Sequence, residues 1–220
     1  LADASELRGT FGIPSRQVQF HMAGGVPEQA DMPGNTEDDM PSARAIAYTA
    51  NDIAIILSAS GSTPYALGAL RAAKEFGAVT IAIANNTSTP LLAEADVSIH
   101  LKTPPEIIAG STRMGAGTAQ KIALNMLSTL MAVHLGHVYD GHMVNMKADN
   151  IKLKQRAKRI VMSIVDCSEQ VAECHLDTAG GSVKLAILLA AGASNSTSAQ
   201  AILDTNEQKL RPSLASLETV

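Results

Sequence analysis

Apolar residues gather into four short β-rich runs in the first half of the chain: Val18–Ala23 (VQFHMA), Asp52–Ser58 (DIAIILS), Val79–Ala84 (VTIAIA) and Val97–Leu101 (VSIHL). Several are near-continuous in apolar residues, as strands buried on both faces are. A helical pattern precedes three of them, at Ala43–Tyr48, Tyr65–Phe76 and a short Pro90–Glu94 turn. Strands alternating with helices predict an α/β fold with a parallel sheet covered by helices on both faces. Ligands of such sheets collect beyond the carboxyl ends of the strands. Those ends carry Gly24-Gly25, Ser58-Ala59-Ser60-Gly61, Asn85-Asn86 and Thr103-Pro104-Pro105-Glu106.

After Leu101 the pattern becomes helical throughout. Ile122–Leu135 reads as a central packed helix and Asn150–Val165 as a second. Ser168–Thr178, Ser182–Leu189 and Ser198–Leu203 read as short helices, each opened by a serine cap. The chain thus divides into an α/β domain over residues 1–150 and a helical unit over 151–220.

Composition narrows the chemistry. The chain is 46% apolar but 3% aromatic, with no Trp, so its core is built from Ala, Val, Ile, Leu and Met. A net charge of −4 offers no broad basic field, and nucleic acid is not an expected partner. The six Lys/Arg between Lys147 and Arg159 fall at helical spacing and read as a solvated face. Cys167 and Cys174 lack metal-ligand spacing, and none of the six His has zinc spacing, so no metal is expected. No signal peptide is visible, and the apolar run Leu185–Ala191 is too short to span a bilayer. These features point to the cytoplasm and away from a membrane. The opening LADASELRGTFGIP reads as the interior of a domain, with further chain expected upstream.

Two segments carry candidate anion chemistry. In SASGSTPY, Ser60, Gly61, Ser62 and Thr63 form a hydroxyl-rich turn after an apolar strand, and Pro64 fits the first helical position. A strand, a Ser/Gly turn and a helix make a phosphate cradle; a capped helix start needing no ligand is the plainer alternative. In GSTRMGAGTAQK, Gly110 and Ser111 precede the central helix as a second anion-ready start, without the Gly-Lys-Ser/Thr of a nucleotide P-loop. Among the carboxylates, Glu6 lies in DASE, Glu37 in TEDD, and Glu106 just ahead of the GSTRM turn. Two carboxylates beside a bound sugar phosphate suffice for an elimination or an isomerisation.

ASGSTPY, PPEIIAGSTRMGAGTAQK and NMLST, in that order, resemble the N-acetylmuramic acid 6-phosphate etherases, proteins with a sugar isomerase (SIS) domain. DASELRGTFG, TEDD, MVNMKADNIKL and the helical tail extend the resemblance over nearly the whole chain. It implies a five-stranded, Rossmann-like parallel sheet flanked by helices and a small ubiquitin-associated-like helical unit. The first strand and its phosphate loop would lie upstream of Leu1. It implies cleavage of the D-lactyl ether of N-acetylmuramic acid 6-phosphate, without a cofactor, in a homodimer. Glu6 matches the family's proton donor and Glu37 its second catalytic glutamate. Ser60, Gly61, Ser62 and Thr63 would hold the phosphate, with Glu106, Ser111 and Thr112 completing the sugar site. The chain departs from the family pattern at Ser62 (usually Arg), Gly115 (usually Lys) and Asn145 (usually Asp). A sugar-phosphate-binding regulator without turnover, like the glucokinase regulators, and a sugar-phosphate isomerase are the alternatives.

Overall fold

The computed structural model describes residues 1–26 and 34–218. They form two compact units, one of residues 21–124 and one of residues 1–20 with 125–220.

The first unit is built on a parallel sheet of three strands, β1 (Ile53–Leu57), β2 (Val79–Ala84) and β3 (Val97–His100), in the order β1-β2-β3. Ile53 pairs with Val79, and Ile81 with Val97. The connections are α3 (Pro64–Glu75) and α4 (Pro90–Glu94). Ala54, Ile56 and Ala82 of the sheet meet Leu67, Leu70 and Ala73 of α3 and Leu91 of α4. These helix positions recur at the spacing that puts side chains on one face. The sequence predicts cover on both faces of the sheet, yet Ile53, Ile55 and Leu57 remain exposed, Ile53 by 64%.

A short α2 (Met40–Arg44), N-capped by Asp39, lies on α3 where Gly68 leaves room. A β-carbon at Gly68 would come within 2.8 Å of Met40. Thr80 and Asp96 lock β2 to the turn before β3. The Asp96 carboxylate accepts from the Thr80 amide at 2.9 Å and hydroxyl at 2.7 Å. Those bonds, with the Lys74 ammonium, hold the Asp96 pKa down to about 2.

The second unit contains α1 (Ala2–Phe11) and the end of α5 (Gly115–His134). A two-residue hairpin follows, β4 (Val138–Tyr139) with β5 (His142–Met143). Then come α6 (Ile151–Val165), α7 (Glu169–Thr178), α8 (Val183–Ala190), α9 (Ser196–Thr205) and α10 (Leu210–Glu218). Val161, Leu176, Ile187, Leu188 and Leu203 form a continuous core with Val144 and Met146. Asn150, Ser168, Ser182 and Asn195 each accept an amide of the following turn, satisfying one of the helix's orphan donors.

Some expectations change. Val18–Ala23 belongs to neither sheet: its alternation only half-resembles a strand, and Val18 instead packs on Phe11, Ile13 and Ala132. The central helix begins at Gly115, seven residues before the expected Ile122 and four beyond Ser111. The chain beyond Leu101 also contains the β4–β5 hairpin, where a purely helical pattern was predicted. Asn195, rather than a serine, opens α9, because its side chain reaches the Ser198 amide at 2.9 Å. Among the described residues, no helix is long and apolar enough to cross a membrane.

Candidate active site

The turn between β1 and α3 is a cluster of hydroxyls. Ser58 Oγ lies 2.9 Å from Thr63 Oγ1 and 3.2 Å from Ser60 Oγ, which is itself 3.3 Å from Thr63 Oγ1. Ser60 Oγ also accepts from the Ser62 amide at 3.2 Å and hydroxyl at 3.3 Å. Ser60 is therefore the hub of the turn, and Ser62 is its exposed outer edge. Gly61 is buried with φ of +69°, and its amide donates to Ser58 Oγ at 3.1 Å. Its carbonyl accepts from the Leu91 amide at 3.1 Å, fastening the turn to α4. No side chain caps the start of α3. Its first amides and the four hydroxyls make a site in which an anion is favoured.

Glu37 is exposed within a single 3-10 turn, Thr36–Asp38, that packs against α3. Its neighbour Asp39 caps α2 through the Ser42 amide at 3.1 Å. Asp39 also reinforces burial in raising the Tyr65 hydroxyl pKa at the start of α3. The sequence places Glu37 in an acidic run; the structure brings that run onto the helix that follows the hydroxyl turn.

Glu106 takes a different place from a free polar group. Its carboxylate accepts the Ala116 amide at 2.9 Å and the Gly115 amide at 3.0 Å, capping α5. Those two bonds hold its carboxyl below the ordinary glutamate range. The helix start predicted to be open at Gly110-Ser111 is thus closed by an internal carboxylate. Each oxygen accepts one amide there, leaving a lone pair for a hydroxyl. Ser111 and Thr112 lie in the turn before α5, with the Ser111 amide on the Ile108 carbonyl and the Thr112 carbonyl taking the Gly117 amide. Further along, Gln120 donates to Asn85 at the end of β2 (2.9 Å), tying α5 to the strand ends of its own unit.

Glu6 belongs to the other unit. It is exposed on α1 and borders a cavity of about 340 Å³. Asp3 and Thr10 line that cavity from α1, and Asn125, Ser128 and Thr129 line it from α5. The Asp3 carboxylate accepts from Asn125 Nδ2 at 2.6 Å and from Ser128 Oγ at 3.1 Å. At the far end of α1, Asn145 Nδ2 donates to the Phe11 carbonyl at 2.9 Å. Asp3 entered the sequence reading only within DASE, Asn125 and Ser128 only within NMLST, and Asn145 only as a departure from the family's usual Asp. None of the four was expected to bond to α1 or within it. Among the described residues, no cluster of His, Cys, Asp or Glu could hold a metal ion.

Comparison with known proteins gives this geometry a family. Residues 36–135 match the SIS domain. The chain is 40% identical over 217 residues to the N-acetylmuramic acid 6-phosphate etherase of Actinobacillus succinogenes, covering 97% of this chain and 71% of that protein. It is 43% identical over 193 residues to the etherase of Geobacillus thermodenitrificans, covering 86% and 65% of the two chains. Against the etherase of Deinococcus radiodurans it is 42% identical over 191 residues, covering 85% and 63%. With a hydroxyl-rich turn at the head of α3 and Glu6 beside an open cavity, the chain belongs to the N-acetylmuramic acid 6-phosphate etherase family of SIS-domain proteins.

Proposed function

We propose that the protein is an etherase, a carbon–oxygen lyase. It converts N-acetylmuramic acid 6-phosphate to N-acetylglucosamine 6-phosphate and D-lactate in the recycling of cell-wall sugar. The observation that carries this reading is the 40% identity, over nearly the whole chain, to relatives bearing that name. The hydroxyl turn is a second support. The Ser60, Ser62 and Thr63 hydroxyls and the uncapped start of α3 would receive the phosphate, with Gly61 shaping the turn. Glu106, Ser111 and Thr112 would complete the sugar site.

The reaction needs proton transfer and no redox partner. In the open-chain sugar the C1 aldehyde acidifies the C2 hydrogen. Glu37 removes that proton, and Glu6 protonates the lactyl oxygen as its bond to C3 breaks. Water then adds at C3 of the unsaturated aldehyde. Because the aldehyde supplies the activation, two carboxylates suffice, and neither metal nor cofactor is called for.

The working form is a homodimer in the cytoplasm. The second copy would cover the exposed apolar stripe of α5, where Met126, Leu130 and Val133 are 51–63% exposed.

The test is release of D-lactate from N-acetylmuramic acid 6-phosphate. Glu6→Gln, which removes the donor proton, lowers turnover by about 10²–10⁴-fold. Lactate release by that variant at the parental rate would overturn the assignment of Glu6.

A further inference from the structure

Helix α1 carries Glu6 but has little of its own to hold it in place. Only Phe11 of its ten residues is buried. Apolar packing acts at its C-terminal half, through Leu7 and Phe11 against Met131 and Ala132. The first turn depends on Asp3. Asp3 and Glu6 are three residues apart, so they share one helix face, and both border the same cavity. Ser128, 4% exposed, is the fixed end of the contact, since its hydroxyl is shared between Asp3 and the Asn125 carbonyl at 3.1 Å each. The other end is fastened by the Asn145 amide on the Phe11 carbonyl. That bond requires a side-chain donor, which an alanine at 145 would not supply.

We infer that Asp3 and Asn145 are positioning residues that hold the two ends of α1, and so fix where the Glu6 carboxyl meets its substrate. The inference rests on the etherase reading of Glu6. The Asp3 carboxylate is taken up by Asn125 and Ser128, and the Asn145 amide by the Phe11 carbonyl, so both act through α1. Their effect is on the alignment of a proton donor, and a displacement of about 1 Å can cost about 10²-fold in rate. The loss therefore falls on kcat, while phosphate binding, which sets most of KM, is made by other residues.

The experiment measures D-lactate release by the unsubstituted protein and by Asp3→Ala, Asp3→Asn and Asn145→Ala, each checked by thermal melting. Asp3→Ala and Asn145→Ala are expected to lower kcat about 10- to 100-fold with KM within about twofold. Asp3→Asn keeps an acceptor oxygen for Asn125 and Ser128, and recovers most of the rate. A folded Asp3→Ala protein with parental kcat would overturn the inference. So would Asp3→Asn failing as badly as Asp3→Ala, or losses explained wholly by a lower melting temperature. If the unsubstituted protein releases no lactate, the etherase reading itself fails, and this role falls with it.

Discussion

Gly61 shows how much of the candidate site rests on one backbone position. Its φ of +69° is one that residues with a β-carbon rarely adopt, and a β-carbon there would lie 2.4 Å from Thr89 Oγ1. Gly61→Ala should therefore cost more than about 1 kcal/mol and shift the hydroxyls of Ser60 and Thr63. Urea melts and titration with N-acetylglucosamine 6-phosphate check it; unchanged stability together with unchanged affinity would contradict it. Lys184 is a second telling residue. It is 3% exposed, its ammonium donates to the Gln208 carbonyl at 2.8 Å, and burial lowers its pKa to about 8. Between that value and the ordinary lysine value of 10.5, the unfolded chain binds more protons than the folded one. Stability accordingly rises with pH from about 8 towards 10, and Lys184→Met should flatten the rise. Denaturant midpoints at pH 7.5, 8.5 and 9.5 would reveal it. His137 lies within the field of Lys184; burial first, and Lys184 second, push its pKa below the usual histidine value. That places its own contribution in a separate window, below about pH 6.5.

At the scale of elements, the sequence was legible where local chemistry punctuates it. Helix α4 runs over Pro90–Glu94 and β2 over Val79–Ala84, as expected, because a proline and a glycine mark their starts. The serine caps of α7 and α8 were equally plain. Helix α1 was not legible. Its ten residues carry almost no apolar face, and what orders it are side chains 122 and 134 positions later. The Val18–Ala23 run failed for the converse reason, since alternation makes a strand only where a neighbouring backbone completes the ladder. The candidate site divides the same way. The hydroxyl turn could be read from a strand, a Ser/Gly run and a proline. The roles proposed for Glu6 and Glu37 rest on resemblance alone. That Glu106 caps α5 depends on a loop fold that no local pattern encodes.

At the scale of the molecule, the exposed stripe of α5 makes a statement about assembly. Met126, Leu130 and Val133 recur at helical spacing and stay open to solvent. If a second copy covers them, Leu130→Asp should shift the protein from dimer to monomer in sedimentation at micromolar concentration. An unchanged sedimentation profile would contradict that cover. The side-chain bonds at the two ends of α1 also set a timetable. The partners of Asp3 and Phe11 are translated 122 and 134 residues after them. At about 5–20 residues per second, the ribosome leaves the helix that carries Glu6 without its anchors for about 6–27 s. The anchorage of the helix that carries Glu6 thus waits for Asn125 and Asn145 to be made, and a prematurely terminated product ending before Asn125 would lack both bonds.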